Sequence, residues 1–145
     1  MEKFKTICAI VINEKGEVLL IKRGREPYKN HWALISGTGE SKKGRLPEVA
    51  VIGEVNCDLS TNSFKGKCIF SVPVEDDEFT DEVIIFAGKV DEKEIKINPG
   101  FSEDFRWVSL TDAKVLGNLA FEHSRIIAEY LKRTSRDPVR GASVW

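Results

Sequence analysis

Apolar residues gather into short runs along this chain, separated by segments rich in charge, Gly and Asn. The first run, over residues 5–12, reads as a strand, and a second over 17–22 follows it. Asn13-Glu14-Lys15-Gly16 joins them with residues suited to a tight turn, so the two strands are expected to form a hairpin. Over 46–59, Leu46, Val49, Ile52 and Val55 recur at helical spacing, and Pro47 suits a first helical turn. Residues 64–74 are β-prone, with Pro73 at an edge or end. Glu75-Asp76-Asp77-Glu78 reads as an acidic, solvated turn. Residues 82–90 carry a nearly unbroken apolar run and read as a buried central strand. A polar stretch over 91–99 leads to a strand over 102–110, and Thr111-Asp112 then suits a helix cap. Leu119, His123, Ile126, Ile127, Tyr130 and Leu131 form one apolar stripe, as in a helix packed on a sheet.

Length and composition narrow the class. The chain has 145 residues, 41% hydrophobic and 31% charged, which suits one soluble domain over 1–133. The remainder, 134–145, lacks periodicity and reads as a mobile tail or as an arm docking a partner through Trp145. A net charge of -1 leaves no basic footprint for nucleic acid. The three cysteines, Cys8, Cys57 and Cys68, contain no CxxC and argue against a disulfide framework or structural zinc. The N-terminal apolar run is too short for a signal peptide core or a membrane span, so no membrane partner is expected and the cytoplasm is the expected location.

Candidate chemistry concentrates between Trp32 and Asp58. Gly37, Gly39 and Gly44 offer a loop in which backbone can turn tightly or lie close to a ligand. Glu54 and Asp58 are four apart, so their carboxylates project from one helix face and could share a divalent cation. With the apolar stripe opposite, that face is expected to be exposed beside the glycine loop.

This stretch resembles the signature of the Nudix hydrolases. Trp32, Leu34 and the glycines stand where the family has Trp-any-Leu-Pro-Gly-Gly, with Ile35-Ser36-Gly37 replacing Pro-Gly-Gly. Gly39 then takes the first Gly of the box, Glu54 the central metal-binding Glu, and Asp58 the last acid. The box departs from the pattern at Arg45 (the outer Glu), Gly53 (Arg), Cys57 (the middle Glu) and Ser60 (Gly). The opening segment over 11–23 and the acidic-aromatic strand around Trp107 are also similar to Nudix landmarks. The fold implied is α/β, a Nudix-type α/β/α sandwich with a mixed sheet.

The resemblance implies a hydrolase of a nucleoside diphosphate linked to another group, using Mg²⁺ or Mn²⁺. Glu54 would be catalytic, with Glu54, Asp58 and the Gly37 carbonyl as metal ligands. Arg23, Arg25, Gly39 and Glu103 would meet substrate, and Glu103 or Asp104 would add a later acid to the metal set. A homodimer is compatible with the family. The degenerate box keeps a second class open, a catalytically impaired Nudix domain that binds a nucleotide as a regulatory module. Cys57 is a soft ligand where a hard oxygen belongs. Gly53 removes an Arg expected to orient Glu54, so Cys57→Glu should strengthen Mg²⁺ binding and raise activity, and Gly53→Arg added to it should help further.

Overall fold

The structure, a computed structural model, describes residues 2–135. The expected tail therefore lies outside the described residues from 136 onward, Trp145 included. At the centre is β1 (Phe4–Val11), whose side chains alternate between two apolar clusters. Ile7, Ala9 and Val11 face one cluster, while Cys8 and Ile10, with Ile12 after them, face the other. A strand buried on both faces reads as a continuous apolar run, which is what residues 7–12 show.

Beside β1 run β4 (Ile35–Gly37), antiparallel, and β6 (Thr80–Lys89), parallel, with β5 (Lys65–Pro73) on the outer edge of β6. The sheet is thus mixed, in the order β4-β1-β6-β5. A second, antiparallel sheet has the order β3-β2-β7, from β2 (Glu17–Arg23), β3 (Trp32–Ala33) and β7 (Ser102–Ser109). Helix α2 (Pro47–Leu59) packs into the cluster of Ile7, Ala9 and Val11, and α4 (His123–Ser135) into that of Cys8 and Ile10. The architecture is the expected α/β/α sandwich. Two short helices, α1 (Gly39–Lys42) and α3 (Ala113–Leu116), complete it. Among the described residues no helix is long and apolar enough to cross a membrane.

The expected hairpin is corrected by this topology. The turn forms as its residues dictate: Asn13 Oδ1 accepts from the N–H groups of Lys15 (3.0 Å) and Glu17 (2.9 Å), and Gly16 takes a φ of 77°. Beyond the single Ile12–Val18 bridge, however, β1 and β2 part into different sheets. Both edges of β1 are already taken, by β4 and β6. The turn residues act locally, whereas strand pairing follows from where each apolar face can be buried.

The phase of α2 is also corrected. Its inward residues are Ala50, Val51, Val55 and Leu59, while Leu46 and Val49 are 69% and 51% exposed. Of the expected stripe, only Val55 is fully inside. Ala50 is the reason: a small apolar residue weighs little in a periodicity count, yet it lets the helix lie close to the sheet. The rotation carries Glu54 and Asp58 inward as well, so they are not on an exposed face.

Candidate active site

Glu54 and Asp58 lie one helical turn apart on α2, with only 5% and 8% of their surface exposed. Glu54 is buried against the glycine loop, the expected neighbour, and Asp58, one turn further along, lies in the field of Arg25 and Arg23. Glu54 Oε1 accepts the Glu40 N–H at 3.0 Å. A β-carbon built at Gly37 would run into the Glu54 carboxylate, so the close approach of loop to acid requires glycine at that position. At Gly39 the same β-carbon would stand an ordinary 3.7 Å from Glu54 Oε1, so no such demand exists there. The last turn of α2 is fixed from below: Ser102 Oγ donates to the Asp58 carbonyl (2.6 Å) and Asn98 Nδ2 to that of Cys57 (2.7 Å).

Two acids so placed disfavour their own ionisation. Burial pushes the Glu54 carboxyl up from its ordinary range, against the hydrogen bond from Glu40, and the charge of Glu40 adds to the push. Burial likewise lifts Asp58, to about 7, with Arg25 and Arg23 opposing and Glu54 reinforcing. Neither carboxylate forms an ion pair with a described residue. Cys57 is half-buried between them in sequence, and burial, then Glu54, Asp58 and Glu40, hold its thiol protonated.

The other expected positions distribute as follows. Arg23 is buried, donating from Nε to the Pro27 carbonyl (2.7 Å), with its guanidinium 4.9 Å from the Phe121 ring centre. Burial lowers its pKa, and its charge acts on Asp58. Arg25 lies 4.5 Å over the Phe101 ring and acts on both acids. Glu103 is exposed, packing its Cγ near Gly24, and the Asp104 carboxylate accepts its neighbour Phe105's N–H at 2.8 Å. Among the described residues no three His, Cys, Asp or Glu side chains gather closely enough to hold a metal.

Sequence reading missed three features. Glu40 is the first: its carboxylate occupies the space beside Gly53, where a β-carbon would overlap it. No periodicity marks a lone acid in a glycine loop. The second is His123, counted above only as part of an apolar stripe. The Leu34 N–H donates to its Nδ1 (3.0 Å), and Ser36 Oγ lies 3.3 Å from Nε2. Burial, with Arg23 adding, pushes its pKa down to about 3. The ring is therefore neutral, carries its proton on Nε2 and donates to Ser36. The third is an exposed aromatic pair, Tyr28 and Phe121, with ring centres 4.7 Å apart. Both have left-handed backbones, φ 61° and 56°, which is unusual for bulky residues.

A NUDIX domain family model matches residues 2–130. An ADP-ribose pyrophosphatase of Methanocaldococcus jannaschii is 29% identical over 126 residues, covering 84% of this chain and 70% of that protein. The NUDIX domain of Shewanella oneidensis NrtR, in a complex with ADP ribose, superposes with a TM-score of 0.73 at 19% identity, over 92% of this chain and 89% of that one. The MutT protein of Methanosarcina mazei Go1 gives 0.72 at 24% identity, over 94% and 99%. A bifunctional NMN adenylyltransferase/ADP ribose pyrophosphatase of Francisella tularensis, complexed with AMP and a Mn ion, gives 0.68 at 21%, over 91% and 42%.

Proposed function

The chain belongs to the Nudix family, and from that premise we propose that it is a metal-dependent hydrolase of a nucleoside diphosphate joined to another group, with ADP-ribose the first substrate to test. The observation that carries this reading is the pair Glu54 and Asp58, buried one turn apart with no ion-pair partner, with Glu54 filling the space beside Gly37 that a β-carbon would take. Two buried carboxylates of like charge suit a hard divalent cation, and the Gly37 carbonyl is the backbone oxygen closest in sequence to the approach. Glu54, Asp58 and Gly37 would thus hold Mg²⁺ or Mn²⁺. When bound, the ion supplies charge neutralisation at the diphosphate and lowers the pKa of a coordinated water.

The rest is work for the chain's own residues. Glu54, its carboxyl pushed up by burial, suits a proton acceptor. Arg23 and Arg25 offer positive charge to the phosphates, and Gly39 lies beside the Glu54 carboxylate. The partly exposed rings of Tyr28 and Phe121, the latter beside the Arg23 guanidinium, offer aromatic surface suited to a nucleobase. Glu103, on the rim near Gly24, would meet the distal group. The domain is taken to span 1–133. Cys57 supports a second reading, a domain that binds the nucleotide and turns it over poorly, because a protonated thiol adds no hard donor.

The test is hydrolysis of ADP-ribose with Mg²⁺ or Mn²⁺, read as release of AMP and ribose 5-phosphate, beside a thermal shift with the same ligand. Turnover abolished by Glu54→Gln supports the hydrolase. A shift without turnover supports the binding module, and neither overturns both.

A further inference from the structure

Glu40 joins the glycine loop to the helix that carries the acids. Its N–H donates to Glu54 Oε1 at 3.0 Å. Its carbonyl accepts from the N–H groups of Lys43 (3.2 Å) and Arg45 (3.3 Å). Its carboxylate holds Lys43 Nζ at 3.0 Å and Arg45 Nε at 3.6 Å. Every polar group of the residue is engaged, and its side chain is only 13% exposed. The neighbouring helix explains how it fits: a β-carbon on residue 53 would stand 2.7 Å from Glu40 Cγ and inside its carboxylate.

Neither half of this arrangement is what stability alone would select. Gly in a helix interior is a poor helix former, and Ala in its place would be better. A third carboxylate beside Glu54 is repulsive, and Lys43 and Arg45 offset that repulsion from the solvent side. What the arrangement does provide is direction. The peptide N–H of Glu40 can point at Glu54 only while α1 keeps its orientation, and the Glu40 side chain, clamped over Gly53, sets that orientation. We propose that Glu40 is a positioning residue that aims the Glu54 carboxylate through its peptide N–H, and that Gly53 is the gap in α2 that admits it.

The proposal rests on the reading of Glu54 as the site carboxylate, and it reverses one expectation. Gly53→Arg, which family resemblance favours, would evict Glu40 and is expected to lower activity. The sharper test is Gly53→Ala in the full chain. The overlap is with the Glu40 side chain and not with backbone, so Glu40 is displaced without breaking the helix, which gains a better residue. The expected result is a melting temperature at or above wild type, faster solvent exchange of the Glu40 amide, and a kcat for ADP-ribose with Mn²⁺ lowered roughly ten- to a hundredfold with KM nearly unchanged. Glu40→Gln, which keeps side-chain length and removes both ion pairs, should move exchange and kcat in the same direction. Unchanged amide exchange and kcat in Gly53→Ala would overturn the proposal. So would a kcat that falls only as far as a lowered melting temperature explains. If wild type neither binds Mn²⁺ nor turns over ADP-ribose, the hydrolase reading fails separately, and amide exchange still decides. Protection lost in Gly53→Ala upholds the clamp, and protection retained refutes it.

Discussion

At the scale of single residues, the acids of α2 are held in a place that costs the fold stability. Asp58 titrates at about 7 here, against 3.8 for an unburied side chain. The fold therefore favours its protonated form. Its contribution is most favourable below pH 3.8 and is lost as the pH rises through 7. Asp58→Asn should consequently melt higher than wild type above pH 7, by an amount that shrinks toward pH 4, while metal binding and turnover fall. Melting curves of both proteins across that range check this, and a pH-independent difference would count against it. Cys57→Glu argues the complementary case. It adds a hard oxygen where the thiol lies in the field of Glu54 and Asp58. The metal-free variant should be less stable, and Mg²⁺ should bind it more tightly and raise its melting temperature more than wild type's, as calorimetry and thermal shifts would read. Glu54 and Asp58 were legible in the sequence because a fixed spacing on a helix leaves a mark. Glu40 was not, because a loop residue that reaches across space to residue 53 leaves none.

At the scale of elements, α2 was legible in extent, starting at Pro47 and ending at Leu59, but not in rotation. Its true inner face mixes a small residue with two acids, and a count of large apolar positions cannot find such a face. The difference is measurable. Leu46→Lys and Val49→Lys, on the outer face, should change unfolding free energy by less than about 0.5 kcal/mol. Leu59→Ala, fully buried, should cost about 2–5 kcal/mol in urea denaturation. A large loss at Leu46 or Val49 would restore the face expected from periodicity. β1 and β2 teach the same lesson for strands: each was placed within a residue or so, while their pairing depended on partners far along the chain.

At the scale of the whole molecule, the sandwich was legible through order: a doubly buried strand, a glycine loop with its helix, and a closing amphipathic helix. What stitches the last helix to β4, the strand that leads into the loop, is His123, through Leu34 and Ser36. Its pKa is pushed down to about 3 from an ordinary 6.5. Below pH 6.5 the unfolded chain takes up a proton that the folded one refuses, so stability falls as pH drops from 6.5 toward 3. His123→Gln should lose that part of the acid slope in melting temperature, and an unchanged slope would assign it to other groups.

Tyr28 and Phe121 come from opposite ends of the chain, stand exposed, and hold backbone conformations in which Asn or Gly would be more at ease. The acids and their loop, by contrast, occupy one continuous segment over 37–58. Asn or Gly at either position relieves its backbone, so a library at positions 28 and 121 could explore new leaving groups without touching the segment that carries the acids. Selectivity and bond cleavage would then be separately evolvable in this chain.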